Sequence, residues 1–218
     1  MCPLWGSLAG GCIMKTLPGL LLKLVLPLYL LDQVTKWLVV CRFVPPEPGT
    51  HASREFHVVV EDFFNIVRVH NQGAAFGLGN GTAWAPFVFF VIAVIALSAL
   101  TYFWKKGAFD TVVLRFAAGL LAAGILGNLT DRVLQGFFLP AHQDEGFLAR
   151  LSHGYVVDFL DFKIGLYEKI FPATGGHWPS FNVADSCICV AAFFLILSTF
   201  RKEEQPAGAE GGSGDHAS

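Results

Sequence analysis

The chain has 218 residues, of which 54% are hydrophobic and only 15% are charged, and its mean hydropathy is +0.54. A soluble domain is usually far less apolar, so this composition predicts a membrane protein and excludes an intrinsically disordered chain. Fifteen Lys and Arg stand against 17 Asp and Glu with no basic block, which excludes a nucleic-acid partner. The partners that this composition favours are membrane lipid and apolar chains.

The two ends of the chain differ from the apolar middle. Residues 1–16 are interpreted as a short cytoplasmic N-terminus, and both Met1 and Met14 are compatible starts. Residues 201–218, rich in Gly, Ala and Glu, predict a disordered cytoplasmic tail. The five cysteines form neither a CxxC motif nor a disulfide framework. One domain is therefore expected, over residues 17–200.

Four apolar runs in that domain are long enough to cross a bilayer, whose hydrocarbon core of about 30 Å requires about 20 helical residues. The fold class predicted is an α-helical membrane protein with four transmembrane helices. The predicted spans are Leu17 to Val40, Trp84 to Trp104, Val112 to Leu134 and Val183 to Phe200.

The loop from Lys105 to Asp110 is basic for its length, so the positive-inside rule places it in the cytoplasm. Lys15 before the first span and Arg201 after the last then lie on the same side, with both termini inside. The two long loops, residues 41–82 and 135–182, share the outer face.

The first outer loop contains two segments rich in β-branched residues, at residues 56–60 and 64–69. Such segments favour short strands over helices. We therefore predict a small sheet that rests on the outer surface of the bilayer.

Charged residues inside the spans require a partner or a function, because an unpaired charge at a helix centre costs about 2.5–3.5 kcal/mol. Asp32 and Lys36 lie four residues apart on one helix face, where they predict a structural ion pair. Asn128, Asp131 and Arg132 share one stripe of the third helix. For Asp131 and Arg132, interfacial placement and a role in ordering a site are equally compatible with this pattern.

Two further carboxylates are candidates for acid–base chemistry. Asp185 lies three residues after Asn182, a pattern typical of a helix N-cap, and the helix dipole there favours the ionised acid. Asp158 is embedded among apolar residues of the second outer loop, where desolvation raises a carboxyl pKa. A pair of acids with different proton affinities can activate water and protonate a leaving nitrogen.

Other catalytic chemistries find less support. The sequence has no HExxH, no GxSxG and no phosphate-binding P-loop. Most histidines lie in the outer loops but match no ligand spacing, so we expect neither a metal nor a cofactor. They are His51, His57, His70, His142, His153 and His177.

Taken in order, five short motifs over residues 17–200 resemble the bacterial lipoprotein signal peptidase family, also called signal peptidase II. Members of that family are four-span intramembrane aspartic proteases. The motifs are Asp32-Gln33-Val34-Thr35-Lys36, Asn71-Gln72-Gly73-Ala74-Ala75-Phe76, Gly127-Asn128-Leu129-Thr130-Asp131-Arg132, Val156-Val157-Asp158-Phe159 and Phe181-Asn182-Val183-Ala184-Asp185.

The resemblance implies that Asp158 and Asp185 are the catalytic dyad. It also implies a diacylglyceryl-modified prolipoprotein as substrate, cleavage before the lipidated Cys, and a monomer in the bacterial inner membrane with its site near the periplasmic face. The sheet in the first outer loop would be the family's β-cradle. Residues implied to line or order the site are Asn71, Gly73, Asn128, Arg132 and Asn182, while Asp32, Lys36 and Asp131 are interpreted as structural.

Departures from the family are mainly additions, since Pro45 to His57 and Leu139 to His153 lengthen the outer loops. Two rival functions fit the sequence less well. A transporter would also need intramembrane charges, but four spans without an inverted repeat argue against it. A non-catalytic lipoprotein-binding factor would be expected to lack one acid of the dyad, and both are present.

Overall fold

The computed structural model describes residues 16–47, 50–73, 79, 82, 84–139 and 142–203, with side chains described up to residue 200. The N-terminus before residue 16 and the predicted tail from residue 204 onward lie outside the described residues. Residues 74–76, the last three of the motif that begins at Asn71, lie outside them as well.

Four helices in the described part of the chain are long and apolar enough to cross a membrane, which confirms the predicted multi-pass fold. The first, α1, runs from Leu17 to Arg42 and contains a π-helical turn at Leu21–Val25. The second, α2, spans Ala85–Lys105, and the third, α3, spans Val112–Leu134. All differ from the predicted spans by at most a few residues at their ends, as does the last helix, Val183–Glu203.

A three-stranded antiparallel sheet lies outside the spans, with strand order β1-β2-β3. Strands β1 (Ala52–Val60) and β2 (Phe64–Asn71) confirm the predicted strands at residues 56–60 and 64–69. Strand β3 (Val156–Phe162) comes from the second outer loop and was not predicted. It pairs with β2 and so joins the two outer loops into one sheet.

The pairing of β2 with β3 contains a bulge. Ile66 pairs with Leu160 and Val69 with Asp158, so β2 advances three residues while β3 advances two. An extra residue of this kind bends a strand and re-aims the side chains that follow. Beyond the bulge the pairing is regular to Asn71, the last residue of β2.

Arg68, at that bulge, attaches the sheet to the outer end of α1. Its Nη1 donates to the carbonyl oxygens of Val40, 3.0 Å away, and Phe43, 2.8 Å away, which lie where helical carbonyls lack intrahelical partners. Its Nε donates to Nε2 of His70 at 3.0 Å. Burial, followed by the charge of Arg68, lowers the pKa of His70 to about 3, so the ring is a neutral acceptor. His70 in turn stacks on the buried ring of Tyr155.

The second outer loop contains two short helices, α4 (Phe147–Ser152) and α5 (Gly165–Ile170), on either side of β3. A 3₁₀ turn, Gln135–Phe138, leads from α3 toward α4. Arg150 of α4 donates to the carbonyl oxygen of Phe137 in that turn at 2.6 Å. The last helix, Val183–Glu203, is α6.

Helices α3 and α6 pack closely because α3 presents glycines to α6. A Cβ on Gly124 would lie 2.5 Å from the carbonyl oxygen of Ala184 and 2.6 Å from Cγ1 of Ile188. A Cβ on Gly127 would lie 3.0 Å from Cβ of Ala184 on α6 and 2.5 Å from Oδ2 of Asp32 on α1. Small residues are required here for the helix backbones to approach, as in other membrane helix pairs.

A buried ion cluster joins α1 to α3. Lys36 Nζ lies 2.8 Å from Oδ2 of Asp32 and 3.0 Å from Oδ2 of Asp131, and each of the three side chains is 1% exposed. The predicted pair of Asp32 and Lys36 is thus present, with Asp131 as a third member. Asp131 is buried inside the protein, so its interfacial placement is excluded. Two carboxylates and one ammonium leave one net negative charge, which requires further hydrogen-bond donors.

We predict that Asp32→Ala will destabilise the folded protein in detergent by about 3–5 kcal/mol, because it leaves part of a buried ion cluster unpaired. The measurement is the thermal unfolding midpoint together with the yield of monodisperse protein. Glu47→Ala is the matched control, since its partner Arg54 is 82% exposed and the pair lies on the surface. Equal stability of the Asp32→Ala variant and the wild type would contradict the structural role of this cluster.

Candidate active site

Asp158 and Asp185 come from different elements but meet at the end of the helix bundle that adjoins the sheet. Asp158 lies in the middle of β3 and is 2% exposed. Asp185 lies in the first turn of α6. The two are close enough for the charge of Asp185 to act on Asp158.

Asn182 links the two carboxylates through both ends of its side-chain amide. Its Nδ2 donates to Oδ1 of Asp158 at 2.7 Å, and its Oδ1 accepts from the backbone N–H of Asp185 at 2.9 Å. The backbone N–H of Asn182 donates back to Oδ2 of Asp185 at 3.2 Å. This reciprocal arrangement is a helix cap, as predicted, and its amide orientation is fixed by the two different partners.

Each carboxylate has a second asparagine partner. Asn71, at the end of β2, donates through Nδ2 to Oδ2 of Asp158 at 2.9 Å. Asn128 of α3 donates through Nδ2 to Oδ1 of Asp185 at 2.7 Å. Neutral amides hold the two acids in place without adding charge to the site.

The buried ion cluster positions the backbone beside both acids. Oδ2 of Asp131 accepts from the backbone N–H of Val157 at 3.0 Å, next to Asp158. Oδ1 of Asp32 accepts from the backbone N–H of Ala184 at 2.8 Å, next to Asp185. These two N–H groups supply donors for the excess negative charge of the cluster.

Lys36 reaches the site through Asn128. Its Nζ donates to Oδ1 of Asn128 at 2.9 Å, while the Nδ2 of the same amide donates to Asp185. The amide orientation of Asn128 is therefore also fixed.

Arg132 and Gly73 order the segment that follows β2. Arg132 donates through Nη1 to the carbonyl oxygen of Gln72 at 3.0 Å and through Nη2 to that of Gly73 at 2.8 Å. Its guanidinium lies 4.5 Å from the ring centroid of Phe89 on α2. The N–H of Gly73 donates to Oδ1 of Asn71 at 3.1 Å, which turns the Asn71 amide toward Asp158. All ten predicted site and structural polar residues thus belong to one connected network.

The buried carboxyl group of Asp158 differs in its electrostatics from a carboxyl group on the protein surface. Burial, and next the charge of Asp185, raise the pKa of Asp158 to about 8. This shift favours retention of a proton by the pair of acids at neutral pH. A buried carboxylic acid beside a second acid is the arrangement used for general acid–base catalysis.

Asp161, the other acid of β3, lies outside this network. Its carboxylate accepts from Nδ2 of Asn65 at 3.0 Å and lies 2.9 Å from Nδ1 of His177. Residues 158 and 161 are an odd number apart, so they point to opposite faces of the strand. The sequence presents both acids in similar apolar surroundings, and the structure separates their roles.

Sequence reasoning missed one residue that contacts the ion cluster. Nε2 of Gln33 lies 3.1 Å from Oδ2 of Asp32, 3.2 Å from the carbonyl oxygen of Gly127 and 3.3 Å from Oδ1 of Asp131. The sequence feature that could have indicated this contact is the position of Gln33 between Asp32 and Lys36 in the first motif.

In the described part of the chain, one group of side chains has the composition of a metal site, namely His142, Glu145 and His153 of the second outer loop. Their ligand atoms lie within 4.8 Å of one another. They are not among the side chains that contact Asp158 or Asp185.

Comparisons with known proteins point to one family. Residues 24–201 match the family described as Signal peptidase (SPase) II. A lipoprotein signal peptidase of Janthinobacterium sp. (strain Marseille) is 36% identical over 176 residues, covering 80% of this chain and 84% of that protein. One of Pseudoalteromonas atlantica is 32% identical over 184 residues, covering 84% and 90%.

Two solved structures of bacterial membrane enzymes resemble this fold. A bacterial membrane enzyme at 2.3 Å resolution superposes with a TM-score of 0.66 and 28% identity over 90% of this chain and 96% of that one. A second, at 1.9 Å resolution, has a TM-score of 0.61 and 29% identity over 85% and 94%. With the matched family and the four spans, these similarities identify the chain as a multi-pass membrane peptidase that belongs to the lipoprotein signal peptidase (signal peptidase II) family.

Proposed function

We propose that the chain removes the signal peptide from diacylglyceryl-modified prolipoproteins by cleaving before the lipidated Cys, with Asp158 and Asp185 as an aspartic dyad. The observation that carries this proposal is the single amide of Asn182 that links both acids. Each acid also has a neutral asparagine donor of its own. This is a pre-organised pair in which one proton can be shared.

In the proposed reaction, Asp185 accepts a proton from water as the water oxygen attacks the carbonyl carbon before the lipidated Cys. Asp158 donates its proton to the carbonyl oxygen, which gives a neutral tetrahedral diol. The C–N bond then breaks as the Cys nitrogen takes the proton held by Asp185, and one diol hydroxyl returns a proton to Asp158. Both acids end in their starting states, so neither a cofactor nor a covalent intermediate is required.

The remaining predicted residues act by position in this proposal. Asn71, Asn128 and Asn182 hold the two carboxylates at fixed orientations. Arg132 and Gly73 hold the segment after β2, which would lie beside a substrate bound at Asp158. Asp32, Lys36 and Asp131 fix the backbone on which both acids are carried.

The substrate is proposed to enter from the lipid, in which the acyl chains of a prolipoprotein reside. Large apolar side chains are exposed along the spans, including Trp37, Ile95 and Phe193, as expected for surfaces in contact with lipid. We propose that the peptidase acts as a monomer, with lipid-modified precursors and membrane lipid as its partners.

The proposed location is the bacterial inner membrane, with both termini in the cytoplasm and the site near the periplasmic face. Support comes from Lys105 and Lys106, which close α2 and begin the short loop to α3. The sheet and the acids lie at the opposite end of the spans. The domain organisation is proposed to be one peptidase unit, residues 17–200, between the two cytoplasmic ends.

Asp158→Asn and Asp185→Asn are each expected to lower turnover by about 10²–10⁴-fold, because an amide cannot exchange the required proton. The measurement is a gel-shift assay on purified protein with a diacylglyceryl-modified prolipoprotein, with and without chelator. Wild-type cleavage is expected to resist the chelator. The matched control is Asp161→Asn, a buried acid of the same strand outside the network, which should keep wild-type activity. Normal turnover in either dyad variant would refute the proposed mechanism.

Cleavage is expected to decline as pH rises through about 8, where Asp158 loses its proton. The hydrogen bond from Asn71 favours the ionised carboxylate and so lowers this pKa. Asn71→Ala should therefore move the alkaline midpoint of the pH–rate profile upward, whatever its effect on the rate. Asn65→Ala, which removes the donor to Asp161 instead, should leave the midpoint in place. A downward shift in the Asn71→Ala variant would contradict the assignment of this proton to Asp158.

The orientation predicts which loop is labelled from outside the cell. In a variant whose native cysteines are replaced by alanine, Asp144→Cys should react with a membrane-impermeant maleimide on intact spheroplasts. Ala108→Cys, in the short loop between α2 and α3, should react only after lysis. Both positions are exposed, so access to the reagent and not burial decides the result. The reverse pattern would overturn the proposed topology.

A further inference from the structure

The second outer loop folds so that three potential metal ligands meet. A turn with a hydrogen bond from the N–H of Glu145 to the carbonyl oxygen of His142 brings these two residues together. Helix α4 then returns the chain, so that His153 lies against the same turn. The imidazole rings of His142 and His153 stack with centroids 3.6 Å apart.

The carboxylate of Glu145 contacts both rings. Its Oε1 lies 2.7 Å from Nδ1 of His142, and its Oε2 lies 3.1 Å from Nε2 of His153. One carboxylate therefore holds two imidazoles in one cluster.

Two imidazoles and one carboxylate form a donor set that suits Zn²⁺, which binds His nitrogen at about 2.0–2.1 Å and carboxylate oxygen at about 2.0–2.2 Å. Zn²⁺ would also neutralise the carboxylate and bind both rings in their uncharged form. Water would complete a tetrahedral site as the fourth ligand. The three ligand atoms lie within 4.8 Å of one another and would converge further on a common ion, and both rings are partly accessible to solvent, His142 at 28% and His153 at 32%.

The position of the cluster gives such a site a structural consequence. His153 lies five residues before Asp158, and α4 is attached to the end of α3 through the bond from Arg150 to Phe137. A metal held by both ends of the segment from His142 to His153 would close it into a ring. It would thereby restrict the chain that enters β3.

We propose that His142, Glu145 and His153 form a zinc site that clips the lengthened second outer loop. This site is separate from the aspartic dyad and does not depend on the proposed reaction. The loop is one of the two segments interpreted as additions to the family pattern, so the site would be a property of this chain.

The test is isothermal titration of Zn²⁺ into the full-length, tag-free protein in detergent, after treatment with chelator and its removal. We expect one Zn²⁺ per chain, with binding weakened roughly tenfold or more in His142→Ala, His153→Ala and Glu145→Gln. Hydrogen exchange of residues 142–153 should slow when Zn²⁺ is added to the wild type, and should not change in Glu145→Gln. That variant keeps the size of the side chain, and gel filtration verifies that it is folded.

Two matched controls lie on the same outer face. Asp144→Asn changes the neighbouring exposed carboxylate, and His57→Ala changes an exposed histidine of β1. Both are expected to bind Zn²⁺ like the wild type. Absence of stoichiometric binding to the wild type, or binding unchanged in the doubly substituted His142→Ala, His153→Ala variant, would overturn the proposal. Loss of activity in the dyad variants has no bearing on it.

Discussion

The buried cluster of Asp32, Lys36 and Asp131 is the constraint on which the rest of the site depends. One ammonium between two carboxylates is costly to bury, and the cluster is stabilised because each carboxylate also accepts a hydrogen bond from a backbone N–H. Those donors, the N–H groups of Val157 and Ala184, immediately precede the two acids. The need of the cluster for hydrogen-bond donors thus positions β3 and α6, which are supplied by different parts of the chain. The two candidate acids, Asp158 and Asp185, are not themselves hydrogen-bonded to the cluster carboxylates.

Much of this arrangement could be predicted from the sequence, because its determinants are local. Span length and hydropathy predict the four helices, the spacing of Asp32 and Lys36 predicts a shared helix face, and the spacing of Asn182 and Asp185 predicts a cap. The two residues of each spacing pattern lie within one or two helical turns of each other. Each membrane span is one continuous apolar segment.

What could not be predicted is non-local. The sequence VVDFLDF does not alternate strictly between apolar and polar residues, so its pattern alone does not predict a strand. Strand β3 forms because it pairs with the edge of β2, which lies far earlier in the chain. The same pairing distinguishes Asp158 from Asp161, which composition alone leaves equivalent. The grouping of His142 and Glu145 with His153 also depends on folding, since a turn and the short helix α4 bring the residues together at spacings that match no ligand motif.

The bulge in β2 bears on how the outer face can vary in length during evolution. Side chains alternate along a strand, so one residue gained or lost between Ile66 and Asn71 would turn Asn71 away from Asp158. An insertion is compatible with the site where it leaves the side-chain alternation of β2 unchanged. The two segments interpreted as additions obey that condition, since Pro45 to His57 extends only into the edge strand β1 and Leu139 to His153 ends before β3. Changes of length at the periphery are therefore compatible with the site, whereas a one-residue change within β2 is not.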